Sequence, residues 1–318
     1  MANHTMRAVR FHKYGSAEEL VLENIPRPDK PGEGQVLVRV HAAGVNGIDT
    51  LIRAGYMHNM MPMSFPATPG VEMAGVIEDV GPGVDHLKSG QSVYGNPLFD
   101  IGRGTYAEYM LANASTVVPM PSNLDYDHAA TVLHGARTAW TGLFELGDLQ
   151  PGQRVLIHGA AGGVGIYAVQ LAHWKGAHVI ATTSTHNVDF VSALGADEVI
   201  DYTQTRFEHV VHDVDLVFDG VGGETMERSW YVLKKGGMLV SAIGMPSPEM
   251  AAQHGVRCAA IGFSQDLPSV LKQITALVEA GKLKPYIRKV YTMDQAVHAH
   301  LHSETRRGRG RIVLHIAD

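Results

Sequence analysis

Residues 154–172, RVLIHGAAGGVGIYAVQLA, restrict the possible folds of this chain more than any other stretch. An apolar run enters a glycine cluster, and a second apolar run leaves it. A short strand, a tight turn and a helix that opens on glycines form the first half of a βαβ unit. Set against the pattern G-x-G-x-x-G, the three tasks fall on Ala160, Gly162 and Gly165. The first position turns the chain, Gly162 lets the backbone approach a pyrophosphate, and Gly165 lets the helix lie close on the sheet. Alanine suits the first position if its φ stays negative, and Gly159 beside it adds freedom. Gly163 and Val164 complete the turn, where helix N–H groups face an anion. The competing reading is a structural glycine turn in some other α/β fold. A strand before the cluster, an apolar helix after it and a second strand beyond favour a dinucleotide.

The rest of the chain supports that choice. Strands are expected at 154–158, 178–183, 198–200, 214–219 and 237–243, and helices at 164–175, 187–194 and 224–234. Such alternation predicts a doubly wound parallel sheet of the Rossmann type. A further helix within 267–285 places Val270, Leu271, Ile274, Leu277 and Val278 on one face and ends at Gly281. Residues 125–147 also have helical spacing. The N-terminal part differs: MRAVRF, QVLVRVHAAGV and VEMAGVIEDV read as strands between Pro/Gly turns, and GRGRIVL near the end is another strand. The fold class is therefore α/β: a Rossmann sheet over 124–285 plus a β-rich domain from 1–123 and 286–318.

Composition excludes several functions. The 318 residues suit two domains, and 26 basic against 32 acidic residues give a net charge of −6, with no polyanion-binding stripe. The one basic cluster, RRGRGR at 306–311, reads as a solvated turn before the last strand. A single cysteine, Cys258, excludes an internal disulfide framework and any multi-cysteine zinc site, and points to a cytoplasmic protein. The opening residues lack the apolar core of a signal peptide. Residues 155–174 carry no Lys, Arg, Asp or Glu, but the glycines and the turn argue against a membrane span. The histidines of HAHLH, His298 and His302, read as a solvated helix face.

The second strand indicates which dinucleotide. An NAD site places an acid at its end to bind the ribose 2′-hydroxyl. Here that place holds Ser184, flanked by Thr183 and Thr185, then His186. Hydroxyls and a cation accept a 2′-phosphate where an acid would repel it, so the expectation is NADP(H). Alternatively, the Ser/Thr run is only a polar helix entry with Thr185 or Asn187 as cap.

Several segments resemble a known family. MRAVRFHKYGSAEELVLENIPRP, GEGQVLVRVHAAGVNGIDTLIRAGY, FPATPGVEMAGVIEDVGPGV, GAAGGVG, LGADEVIDY, VFDGVGG and GRGRIVL resemble, in order, the medium-chain dehydrogenase/reductases, and among them the zinc-independent quinone oxidoreductases related to ζ-crystallin. The resemblance implies that the β-rich domain is GroES-like, with nicotinamide and substrate in the cleft between domains. It also implies a homodimer through the Rossmann sheet edge at GGMLVSAIG and VRCAAIGFS. It adds Tyr202, Gly220, Gly222 and Ile243 to the cofactor residues.

The same resemblance bears on metal. Zinc-dependent relatives have ligands where this chain has Asn46, Val71 and a residue near His134. Asn46 is a poor zinc ligand and Val71 is none, so no metal is expected. Hydride transfer without a Lewis acid suits acceptors that spread charge, namely quinones and α,β-unsaturated carbonyls. The candidate catalytic residues are four. Asn46 can donate an amide N–H to the acceptor oxygen. Asp49 orients a neighbour or caps the helix around TLIRAG. Tyr56 is a proton donor or a half-buried loop aromatic, since relatives carry a Tyr in register with Met57 or Leu51. Thr138 matches a position whose hydroxyl approaches the nicotinamide, or it bonds back to its own helical turn. The Met-rich loop GYMHNMMPMSFPATPG is either an adaptable substrate surface or ordinary packing. The alternatives are a zinc-type alcohol dehydrogenase and a cofactor-binding protein with little turnover.

Overall fold

The computed structural model describes residues 5–95, 97, 103–262 and 266–317. Its strands are β1 (Thr5–Arg10), β2 (Val21–Pro26), β3 (Gln35–Val45), β4 (Met73–Val80), β5 (Ser92–Gly95), β6 (Tyr109–Asn113), β7 (Val117–Pro119), β8 (Arg154–His158), β9 (His178–Thr183), β10 (Glu198–Asp201), β11 (Val214–Asp219), β12 (Leu233–Ser241), β13 (Arg257–Ala260), β14 (Ile287–Thr292) and β15 (Arg311–His315). Its helices are α1 (Gly47–Arg53), α2 (Tyr126–Ala129), α3 (Leu133–Trp140), α4 (Gly165–Lys175), α5 (Val188–Ala193), α6 (Glu224–Ser229), α7 (Pro248–His254), α8 (Leu267–Glu279) and α9 (Ala296–Glu304).

The chain divides into two compact units: residues 1–134, 285–307 and 311–318, and residues 135–284 with 308–310. Residues 124–134, expected in the Rossmann domain, fall in the first unit. Side chains anchor them there. The Tyr126 ring stacks on His41 at 4.3 Å, its hydroxyl lies 2.9 Å from Ser92 Oγ, and Asp127 meets His315 at 3.1 Å.

In the first unit a mostly antiparallel sheet runs β14-β15-β3-β4-β5-β7, with β6 also on β3, while β1 and β2 pair separately. Strand β3 is long, and its apolar residues Val36, Val38, Val40, Ala43 and Val45 join the core with Phe11, Met73, Ile77 and Leu314. The second unit is a parallel sheet ordered β10-β9-β8-β11-β12-β13. Counted from its first strand this is 3-2-1-4-5-6, the doubly wound order whose reversal lies between β8 and β11. Leu156, Ile180, Val217 and Leu239 fill its core, as the near-continuous apolar runs of buried parallel strands require.

Three expected helices are shorter than their periodicity suggests. The 125–147 stretch breaks into α2, α3 and a π-helical segment, Thr141–Leu146, that closes on Gly147. The segment after β9 begins as a 3-10 turn, Thr185–Asn187, before α5, and neither Ser184 nor Asn187 caps with its side chain. Helix α6 ends at Ser229, and a 3-10 turn (Trp230–Val232) leads into β12. In each case tertiary packing overrides helix spacing, as burial of Trp230 and Val232 shows. Helix α8 runs as expected, with Leu277 half-buried and Gly281 at φ +66 just beyond its end. Among the described residues no helix is long and apolar enough to cross a membrane.

Candidate functional site

Two glycine turns meet at the reversal point of the parallel sheet. The first leaves β8. Gly159 stands at φ +72, and a Cβ on it would lie 3.3 Å from Val221 Cγ2 and 3.4 Å from the Gly220 oxygen, so the turn after β11 is its neighbour. Ala160 is fully buried, which leaves the left-handed conformation to Gly159 and resolves how alanine fits the first position. Gly162 N–H closes the turn on the Gly159 carbonyl at 2.9 Å. A Cβ on Gly165 would stand 2.1 Å from that same carbonyl and 2.7 Å from Ala160 Cα, so the start of α4 lies against the turn as only glycine permits. Gly162, Gly163 and Val164 are half-exposed at that helix start, where orphan N–H groups and the dipole favour an anion.

The second turn is organised by a residue that the sequence reading missed. Asp219, buried at the end of β11, accepts from Val221 N–H at 3.0 Å, from Gly222 N–H at 3.0 Å and from Ser241 Oγ at 3.1 Å. Ser241 Oγ in turn accepts from Ile243 N–H at 3.1 Å. One carboxylate thus fixes the expected residues Gly220, Gly222 and Ile243. Gly222 has φ +77, and Ile243 is about half exposed beside it. An acid closing an apolar strand before two glycines, as in VFDGVGG, is the signal that could have found it. Below, buried His158 lies 3.0 Å from Ser229 Oγ and 2.9 Å from Thr182 Oγ1. Because Ser229 donates its proton to the Thr225 carbonyl, His158 donates through Nε2 and accepts through Nδ1. Burial pushes its pKa down to about 4, so it joins two strands and a helix as a neutral imidazole.

At the end of β9, Ser184 is half-exposed, and Thr185 and His186 are exposed. Tyr202 is exposed too, and its N–H bonds the Thr183 carbonyl at 3.0 Å. The parallel pairing of β10 with β9 brings in an acid that the local search did not reach. Asp201 pairs with Thr183 in the ladder and accepts from Thr185 Oγ1 at 2.6 Å. That hydroxyl, with Thr203, holds the Asp201 carboxyl below its ordinary value.

Two candidate catalytic residues of the first unit, Asn46 and Asp49, lie in a buried polar network. Asn46 follows β3 and starts α1, and its N–H donates to Asp49 Oδ2 at 2.8 Å. Tyr106 donates its hydroxyl to the same oxygen at 3.1 Å. The Asn46 amide donates to the Gly44 carbonyl at 3.3 Å and to Glu72 Oε2 at 3.5 Å, while its oxygen accepts from Arg311 at 2.7 Å. Arg311 also pairs with Glu72 at 2.5 Å, and Glu72 Oε1 accepts from His134 N–H at 2.8 Å. All of these side chains except that of His134 are buried. The Asn46 amide is therefore occupied by protein acceptors. Asp49 both orients a neighbour, Tyr106, and sits in the third position of the helix it stabilises. Its burial, outweighing its two hydrogen bonds, raises its pKa to about 7, and burial raises Glu72 as well. Local reading missed Glu72, Tyr106 and Arg311, which lie far apart in sequence.

The remaining candidates are dispersed. Tyr56 is largely exposed, and Thr138 is half-buried on α3. In the Met-rich loop, Met57, Met61 and Met63 pack on the core and Met60 is exposed, so most of these methionines serve packing. His302 meets the Tyr291 hydroxyl at 3.0 Å, and His300 between the two expected solvated histidines is wholly buried. The zinc positions do not fit a metal: Asn46 is engaged on both ends of its amide, Val71 has no donor, and the acid beside it, Glu72, is paired with Arg311.

Two family models match, "Alcohol dehydrogenase GroES-like domain" over residues 32–122 and "Zinc-binding dehydrogenase" over residues 194–314. The chain is 35% identical to a tomato (Solanum lycopersicum) 2-methylene-furan-3-one reductase, over 98% of this chain and 79% of that one. It is 32% identical to the Sus scrofa quinone oxidoreductase, over 97% of each. The structure of the Escherichia coli quinone oxidoreductase complexed with NADPH superposes with a TM-score of 0.85 at 28% identity, covering 97% of this chain and 99% of that one.

Proposed function

The chain belongs to the medium-chain dehydrogenase/reductase superfamily, with quinone oxidoreductases among its relatives, and on that premise we propose that it is an NADPH-dependent reductase of quinones or α,β-unsaturated carbonyls. The observation that carries this reading is the pair of glycine turns at the reversal of the parallel sheet. Gly162, Gly163, Val164 and Gly165 would hold the pyrophosphate on the start of α4. Gly220, Gly222 and Ile243, fixed by Asp219, would line the path beyond it, and Ser184, Thr185, His186 and Tyr202 would receive the adenosine end. The bound cofactor supplies the hydride. Tyr56 in the first unit and Thr138 in the second remain the candidate hydroxyls, whereas Asn46 and Asp49 act as positioning residues that hold the start of α1 rigid. An extended, conjugated acceptor fits a site whose donors are hydroxyls and not a metal. We also propose a homodimer joined along β13, an edge strand of its sheet. Of the expected interface segments, Phe263 and Ser264 lie outside the described residues.

The test is oxidation of NADPH by the purified protein with benzoquinone, phenanthrenequinone and short alkenals. Turnover with at least one acceptor class is expected. Tight NADPH binding without turnover would assign the chain to a cofactor-binding role, and no binding would overturn the reading.

A further inference from the structure

Strand β8 runs through Val155, Leu156 and Ile157 to His158, which is wholly buried at the reversal of the parallel sheet. An aliphatic side chain would fill that place without the cost of desolvating an imidazole, so what the ring adds is its two hydrogen bonds. Those bonds have a direction. The single Ser229 proton goes to the Thr225 carbonyl at 2.7 Å, so His158 Nε2–H donates to Ser229 Oγ and Nδ1 accepts from the Thr182 hydroxyl. The run of donors passes from β9 through β8 into α6, and Thr182 and Ser229 are buried as well. The Phe207 ring packs against the imidazole with centroids 4.5 Å apart.

His158 also pairs in the ladder with Asp219 on β11, and a Cβ on Gly220 would lie 2.9 Å from the His158 carbonyl. The two residues divide one task. Asp219 holds the second glycine turn from its strand, through the Val221 and Gly222 N–H groups. His158 holds the helix that this turn enters, since α6 starts at Glu224 and carries Ser229. His158 itself immediately precedes Gly159, where the first turn begins. One imidazole therefore ties the helix of the second turn to the strand of the first.

We propose that His158 is a positioning residue for the dinucleotide, setting the second glycine turn at the distance from the first that one cofactor molecule spans. Being fully buried, it acts through Ser229 and α6 and not by touching the cofactor. The inference rests on the dinucleotide reading given above. The test compares the intact protein with His158→Phe, His158→Gln and Ser229→Ala, by calorimetric titration with NADPH and with 2′,5′-ADP and by steady-state kinetics. 2′,5′-ADP is the adenosine end alone, so it reaches the first turn and not the second. His158→Phe keeps the bulk of the ring and loses both bonds. It should weaken NADPH binding about ten-fold and raise the KM for NADPH equally, with kcat and 2′,5′-ADP binding changed less than about two-fold. Ser229→Ala cuts only the link to α6. It should weaken NADPH about three- to five-fold, and it carries the test if His158→Phe does not fold. His158→Gln, whose amide can donate to Ser229, should recover most of the affinity. Equal losses in His158→Phe and His158→Gln, or equal losses for NADPH and 2′,5′-ADP, would mark a packing role and overturn the assignment. So would a fall in kcat with KM and affinities unchanged, which is what fewer folded molecules give. Unaltered NADPH affinity in all three variants would overturn it too, while leaving the dinucleotide reading intact. Failure of the unaltered protein to bind NADPH would overturn both.

Discussion

The two units build their polar centres in opposite ways. The Rossmann unit makes its site from backbone: Gly159, Gly162 and Gly165 in one turn, Gly220 and Gly222 in the other. The β-rich unit makes its centre from five side chains contributed by four separate segments, Asn46 with Asp49, then Glu72, Tyr106 and Arg311. A glycine turn is most sensitive to the gain of a Cβ. A side-chain network tolerates small steric change but not an unmatched charge. Substitutions that exchange these sensitivities test the comparison.

The largest effect is expected from Arg311→Met, which leaves Glu72 buried without its cation. Unfolding free energy from urea melts should fall by about 3–5 kcal/mol, and the double variant with Glu72→Gln should recover much of it. Recovery would mark the network as a charge balance and not a packing unit. In the other unit, Gly165→Ala should cost about 2–3 kcal/mol, because its Cβ would meet the Gly159 carbonyl at 2.1 Å, and should remove NADPH binding in titration. Binding at the unaltered affinity would show that the turn relaxes freely and would break the comparison.

A third effect is one of pH. Asp49 has an ordinary pKa of 3.8 and about 7 in the folded protein, so the folded state holds the proton longer than the unfolded one. Between about pH 4 and 7 this group makes stability fall as pH rises, by at most roughly 1.4 kcal/mol per unit. Asp49→Asn, isosteric with the protonated acid, should flatten that slope in melts across the range, and an unchanged slope would place the charge elsewhere. The smallest effect belongs to the surface of the Rossmann unit. Asp201→Asn removes the acid beside Thr185 and should raise the NADPH-over-NADH ratio of kcat/KM about three-fold, less at high salt.

Legibility in the sequence follows the same division. The order of strands and helices from 154 to 241 was readable because parallel strands and their helices are local, each announced by periodicity and glycine. The helix ends were less so: α5 begins only after the 3-10 turn at Thr185–Asn187, and α6 stops short where Trp230 turns into the core. Asp219 was overlooked although adjacent to the glycines it fixes, since its role depends on the neighbouring strand that carries Ser241. Asp201 was overlooked because strand pairing, not chain distance, brings it to Thr185. Asn46 was read as a donor to the acceptor oxygen, and its partner Arg311 lies at the far end of the chain, out of reach of local reading.

The sequence by itself determined the doubly wound unit and the anion-binding turn, because a glycine's missing Cβ acts on its immediate neighbours and needs no distant partner. Only the tertiary structure decided what the charged residues do. Whether Glu72 is a ligand or an ion-pair partner, and whether Asn46 faces outward or is spent inside, depend on which segments the fold brings within a few ångströms, where Coulomb energy and desolvation take their size from distance and burial.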